Sequence, residues 1–173
     1  NGSGKSTLLK VIAGKETADS GSVVFRKDIT IGYLSQHEQF DINQTIEEII
    51  FDDSQPALKA IKEYNRCINN NLEGADMEAA YEAMNMHEAW ETEIKLQQIL
   101  SELKVNFMSQ KVSELSGGQL KRLSLAKVLV YNPDLIVLDE PTNHLDLDMI
   151  EWLEEYLIKS TGSLLMVTHD RYF

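Results

Sequence analysis

Residues 115–146 constrain the fold more than any other stretch. Leu115-Ser116-Gly117-Gly118-Gln119 leads into a run with helical spacing over 117–131, which Asn132-Pro133 closes, because the residue before a proline is pushed out of the helical region. Leu135-Ile136-Val137-Leu138 follows and ends on Asp139-Glu140. A short, wholly apolar run of this kind is a buried strand. Its acidic end puts carboxylates at the carboxyl edge of the sheet, where α/β folds bind their ligands. Pro141-Thr142-Asn143-His144-Leu145-Asp146 then turns the chain towards the next amphipathic segment.

The other periodicities extend this pattern. Residues 4–13 have helical spacing, with Leu8, Leu9 and Ile12 on one face and Gly14 as a stop. Residues 22–26 and 29–34 read as two strands joined at Lys27-Asp28, and residues 45–51 as a short helix. Residues 54–102 are polar, acidic and helix-prone, with a break near Asn69–Gly74. Residues 148–159 are an amphipathic helix with Ile150, Leu153 and Leu157 inward, and 163–168 a last apolar strand. Strands alternating with helices predict an α/β fold with a mainly parallel sheet and flanking helices. The long helical stretch interrupts that alternation as an inserted all-helical subdomain, since a structureless connection of that length is unusual. The expected organisation is a core over 1–51, a helical subdomain over 52–114 and the rest of the core over 115–173.

Composition narrows the partners. The 173 residues are 43% hydrophobic and 25% charged, as in a soluble globular domain. No run is long and apolar enough to span a bilayer, so direct membrane insertion is not expected. No secretory signal pattern opens the chain. The single cysteine, Cys67, allows no internal disulfide; it fits a reducing cytoplasm and reads as a half-buried helix residue. Sixteen basic and 28 acidic side chains leave a net charge of −12, which repels nucleic-acid backbones. A local phosphate pocket is compatible with that charge, because backbone N–H groups and one lysine suffice to build it.

Asn1-Gly2-Ser3-Gly4-Lys5-Ser6-Thr7 is such a pocket in outline. Glycines let successive N–H groups turn inward around a phosphate, and the helix that starts there favours negative charge at its end. Lys5 would reach the β- and γ-phosphates, Ser6 would put its hydroxyl on Mg²⁺, and Thr7 would support the α-phosphate side. Asp139 would hold the same Mg²⁺. Taken singly, the loop has a chance glycine-rich turn as its minor alternative, whereas for Asp139-Glu140 a buried strand ending in a solvated acidic pair is the safer reading. The four histidines His37, His87, His144 and His169 show no metal-ligand spacing. The loop lacks its first glycine and its feeding strand, so the chain reads as an excerpt of a longer protein. Residues 1–173 alone are expected to bind a phosphate-bearing ligand weakly or not at all and to be inactive.

The order of these parts resembles the ATP-binding cassette (ABC) ATPases, which are P-loop NTPases. The resemblance implies ATP and Mg²⁺ as cofactors, and Glu140 as the residue that polarises the attacking water. It makes Gln36, after the strand Ile31–Ser35, a sensor that touches Mg²⁺ and the water. It makes His169 a γ-phosphate contact that steadies the water and Glu140. It also implies that Ser116, Gly117, Gly118 and Gln119 meet the ATP held by a second cassette, in the same polypeptide or a dimer mate, and that Asp146 acts across that seam. Read from physics alone, Ser116 is an ordinary helix cap and Asp146 another.

Glu140–Asp146 together with His169-Asp170-Arg171-Tyr172-Phe173 resembles the ABC-F branch, including its Uup-like subgroup, and in particular the N-terminal cassette. That branch carries two cassettes and no membrane spans. The resemblance implies a role on ribosomes in translation, or in nucleic-acid metabolism, through regions outside this fragment. The other reading is the cytoplasmic ATPase subunit of a membrane transporter. The roughly eighty residues between Gln36 and Ser116 fit either an arm, with Met77–Leu103 as a helical hairpin, or an enlarged ordinary helical subdomain. Gln119 stands where many ABC-F cassettes have glutamate.

Overall fold

The computed structural model describes residues 4–36, 40–52 and 54–169. They form two compact units: the described residues up to Phe40 together with those from Leu115 onward, and Asp41–Glu114.

The first unit is built on a three-stranded parallel sheet of β1 (Ile31–Leu34), β2 (Leu135–Asp139) and β3 (Ser163–Val167), in that order. Leu34 pairs with Leu138, and Asp139 with Val167, so the carboxyl ends of all three strands meet at one edge. β2 is central, and Ile136, Val137 and Leu138 are buried. Each such side chain contributes about 1.5–3 kcal/mol on leaving water.

α1 (Lys5–Ile12) buries Leu9, and α6 (Gly117–Val130) buries an apolar stripe that includes Leu123, Leu125, Ala126 and Leu129. α7 (Leu147–Lys159) starts on Asp146, whose carboxylate accepts from Met149 N at 3.0 Å. Met149, Leu153 and Leu157 form its buried stripe. Met149 takes the place expected of Ile150, which is only half-buried.

The amino-terminal edge of the sheet is pinned by one pair. Asp134 Oδ2 accepts from Thr30 N and Thr30 Oγ1, both at 2.8 Å, and Asp134 N donates back to Thr30 Oγ1 at 2.9 Å. The backbone and hydroxyl bonds from Thr30, with Arg26 nearby, hold the Asp134 carboxyl below its ordinary range.

The expected strand over 22–26 does not form. Its residues are exposed, Val24 most of all at 86%. Residues of high strand propensity such as Val23, Val24 and Phe25 make a strand only where a neighbour supplies a hydrogen-bonding ladder, and among the described residues none does. β1 begins at Ile31 rather than at residue 29.

The second unit contains the short α2 (Ile46–Ile50), then α3 (Pro56–Asn69), α4 (Ala75–Met86) and α5 (Ala89–Glu102). Its segment 41–46 lies beside 107–114. Thr45 bridges Lys111, Ile46 N donates to Gln110 O at 3.1 Å, and Val112 N donates to Gln44 O at 3.0 Å. These bonds put the division at Phe40/Asp41, earlier than the expected 51/52.

The helical stretch breaks at Asn70–Gly74, as its composition suggests, and again at His87-Glu88. Glu88 adopts a left-handed φ of 49° there. The second break carries no glycine or proline, so sequence punctuation does not reveal it. Trp90 packs edge-on to Tyr64, with centroids 5.1 Å apart, and donates to Asn85 Oδ1 at 2.8 Å. Cys67 is fully buried rather than half-buried.

Candidate functional site

The site begins where α1 begins. Gly4 sits at φ 73°, in the left-handed region that glycine enters at no steric cost, and no side chain caps the helix. The first helical bond runs from Leu8 N to Gly4 O at 2.9 Å. The N–H groups of Lys5, Ser6 and Thr7 therefore precede the ladder, where a helix end attracts anions. Asn1, Gly2 and Ser3 lie outside the described residues.

The carboxyl edge of the sheet supplies the acids. Asp139 is the last residue of β2 and is 1% exposed; among the described residues its Oδ2 has no hydrogen-bond partner. Glu140 follows with a left-handed φ of 52°. That region costs a non-glycine residue on the order of 1 kcal/mol or more, and such strain gathers at functional positions. The Glu140 N–H donates to Val167 O at 2.8 Å, which anchors the strained residue to β3. Its carboxylate, 11% exposed, accepts from His169 N at 3.2 Å and lies 3.3 Å from His169 Nε2. An ionised carboxylate only accepts, so the ring proton of this pair belongs on Nε2.

A cleft of about 490 Å³ joins these groups: Gly4 to Thr7, Gln36, Asp139, Glu140 and His169 line it, with Asn143 and Val167. Four chain segments distant in sequence thus converge on one cavity. Its donor set is oxygen-rich, with the Asp139 carboxylate, the Ser6 hydroxyl and the Gln36 amide. Among the described residues no group of three or more His, Cys, Asp or Glu is arranged around a cation. One buried acid with an unsatisfied oxygen, beside a hydroxyl, fits Mg²⁺, a hard ion that takes few protein ligands and keeps waters and phosphate oxygens.

Ser116, Gly117, Gly118, Gln119 and Asp146 do not line this cleft. Ser116 and Gly117 are exposed at the start of α6. Gln119 Oε1 accepts from Ser116 N and Ser116 Oγ, both at 2.9 Å, and Gln119 N donates to Ser116 Oγ at 3.3 Å. This reciprocal capping box works with glutamine or glutamate, since each presents a carbonyl-type oxygen to the cap N–H. Replacing Gln119 by Glu is therefore expected to leave α6 intact. Gln119→Ala is expected to loosen its first turn by about 0.5–1 kcal/mol. Faster amide exchange at Gln119 and Leu120 in the alanine variant alone is the readout.

Two further residues come from the structure rather than the sequence. Asn143 lines the cleft from the turn after Pro141, and its N–H points to Glu140 O at 3.4 Å. Lys121 is a buried lysine, 8% exposed, within the apolar stripe of α6. Nothing in the sequence singles it out, since Arg122 and Lys127 stand in the same helical run.

A parallel sheet that brings a phosphate-type helix start and a strand-end Asp-Glu pair to one cleft is a P-loop nucleotide-binding core. Residues 1–143 match the family model described as ABC transporter. The chain belongs to that family of ATP-binding cassettes. Over its whole length it is 41% identical to "Uncharacterized ABC transporter ATP-binding protein YfmR" of Bacillus subtilis (strain 168), of which it covers 29%. It is 37% identical to "ATP-binding protein Uup" of Haemophilus influenzae, of which it covers 28%. It is 33% identical to "Energy-dependent translational throttle protein EttA" of Escherichia coli (strain K12), of which it covers 33%. The chain thus spans a third or less of these relatives' length, and the Uup match agrees with the Uup-like resemblance of its motifs. Among solved structures, the "RNase-L Inhibitor" aligns with a TM-score of 0.65 at 25% identity, over 98% of this chain and 27% of that one. A nucleotide-free ATP-binding cassette from an ABC transporter aligns with a TM-score of 0.56 at 27% identity, over 98% and 67%. No described helix is long and apolar enough to cross a membrane.

Proposed function

We propose that this cassette binds and hydrolyses ATP while closing on a second cassette, as part of a cytoplasmic ABC-F protein that acts on ribosomes. The observation that carries the reading is the split between its two glycine-bearing helix starts. One opens into the cleft with Asp139, Glu140, Gln36 and His169. The other, at Ser116–Gly118, does not line it, and Ser116 and Gly117 are exposed. A helix N-terminus presented to solvent suits an anion brought by another body.

In this reading Lys5 and the N–H groups of α1 neutralise the triphosphate. Asp139 and Ser6, with Gln36, hold Mg²⁺, which when bound offsets the charge on the phosphate oxygens. Glu140 orients a water and accepts its proton, while Gln36 and His169 confine that water and the carboxylate to one geometry. The second cassette's Ser-Gly-Gly segment closes over the γ-phosphate, this chain's Ser116–Gln119 do the same in return, and Asp146 acts across the same seam. Hydrolysis breaks the bond between the β- and γ-phosphates, and release of the cleaved phosphate removes the group that bridged the halves, so ATP acts as a conformational switch. Within the helical subdomain of residues 52–114, the hairpin of Met77–Leu103 serves as an arm. The match to a protein whose name includes "translational throttle" supports the ribosomal role.

The test is co-sedimentation of the full-length protein with ribosomes in the presence of a non-hydrolysable ATP analogue. Pelleting with the analogue and release with ADP is the expected result. Indifference to ribosomes, combined with ATP-dependent capture by membrane-embedded partners, would favour a transporter subunit instead.

A further inference from the structure

We propose that Lys121 is a positioning residue for hydrolysis, through which α6 holds the Asp139–Glu140 peptide and the end of β1 just before Gln36. This rests on the ATPase reading above. Lys121 Nζ donates to Ser35 O at 3.0 Å and to Asp139 O at 3.3 Å. Both carbonyls lie at the carboxyl edge of the sheet, on adjacent strands, and each stands one residue before a group of the cleft.

The Asp139 carbonyl belongs to the same peptide unit as the Glu140 N–H, because a peptide bond is planar. That unit is held from both ends: Lys121 takes its carbonyl, and Val167 O accepts its N–H at 2.8 Å. Clamping this plane fixes the direction in which Asp139 leaves β2 and the left-handed turn on which Glu140 stands. A Glu140 freed to relax to negative φ would swing its carboxylate away from His169.

Lys121 also has a cost that an apolar residue would avoid. Burying an ammonium is unfavourable by several kcal/mol unless hydrogen bonds replace its water. Leu123, Leu125 and Ala126 of the same helix are buried close by, so methionine would suit the packing. What lysine adds is two oriented bonds to two strands. It stands five residues after Ser116, about 7.5 Å along the helix axis. Whatever docks at the exposed start of α6 is therefore connected, through one rigid helix and one ammonium, to the peptide beneath Glu140.

The experiment uses the full-length protein, with the hydrolytic glutamate of any second cassette replaced so that phosphate release reports this site. Lys121→Met is expected to lower kcat about 10- to 100-fold, the usual cost of losing a group that orients a ligand-bearing one, with KM for MgATP within about threefold. Lys121→Arg, which still donates to two carbonyls, is expected to recover most of the rate. In a Glu140→Gln background Lys121→Met should slow turnover no further, because residues that act through one another are non-additive. If Lys121→Met does not fold, Lys121→Gln is read the same way, with an intermediate loss. A kcat within about twofold of the parent, a loss confined to KM, or multiplicative losses with Glu140→Gln would each overturn the proposal. If Glu140→Gln itself left turnover unchanged, the ATPase reading would fall with it. If Glu140→Gln loses turnover and Lys121→Met does not, only the role of Lys121 is lost.

Discussion

Glu140→Gln in the full-length protein is expected to lower kcat for phosphate release at this site by about 10²- to 10⁴-fold, the range a positioned general base supplies. KM for ATP should change little. The amide has the shape of the carboxylate and keeps an oxygen for the His169 N–H, which now lies 3.2 Å from Glu140 Oε2. It lacks the charge and basicity needed to take a proton from water. The groups proposed to contact phosphate, Lys5 and Ser6, are unchanged in the variant and line the same cleft, so nucleotide should still bind. The substitution thus separates binding from chemistry, and the variant should retain radiolabelled ATP after gel filtration where the parent retains ADP or nothing. Turnover equal to that of the parent would remove Glu140 from its assigned role.

Much of this site is legible in the sequence because it depends on edges of regular elements. An apolar run ending in acids fixes where Asp139 and Glu140 lie, whatever the rest of the fold does. A glycine before a helical run does the same for Lys5 and Ser6. What stays hidden are features that need a partner in space. The sequence marks Glu140 as acidic but not as left-handed, since that φ is imposed by the bonds on either side of its peptide. Lys121 looks like one more surface lysine until Ser35 and Asp139 are brought beneath it. The exposed residues 22–26 show the converse, in which strong β propensity has no ladder to join. The break at His87-Glu88 is likewise set by how α4 and α5 pack around Trp90, not by any helix-breaking residue.

Gly32→Val is expected to destabilise the sheet by about 1–3 kcal/mol, the usual cost of overpacking a filled interior, although propensity alone argues the opposite. Valine favours strands, and replacing glycine removes freedom from the unfolded chain, worth about 0.4–1 kcal/mol where the backbone tolerates it. The space does not tolerate it. A Cβ at residue 32 would lie 2.6 Å from Pro133 Cγ and 3.0 Å from Val128 Cγ1. The proline ring is rigid, and its neighbour Asp134 is tied to Thr30 on one side and to Ser163 N, at 2.8 Å, on the other. Neither the ring nor β1 can retreat without breaking the bonds that align all three strands. Strain placed there should be felt along β2, which pairs with β1 from Leu135 to Leu138. Hydrogen exchange in the intact protein is the appropriate measure, because it reads local opening. Amides of β2 should exchange about 5- to 150-fold faster in the variant, with Gly32→Ala falling between it and the parent. Slower exchange in Gly32→Val would mean that propensity outweighs the contact with Pro133, and that the close approach of α6's carboxyl end to β1 is not what holds this edge of the sheet.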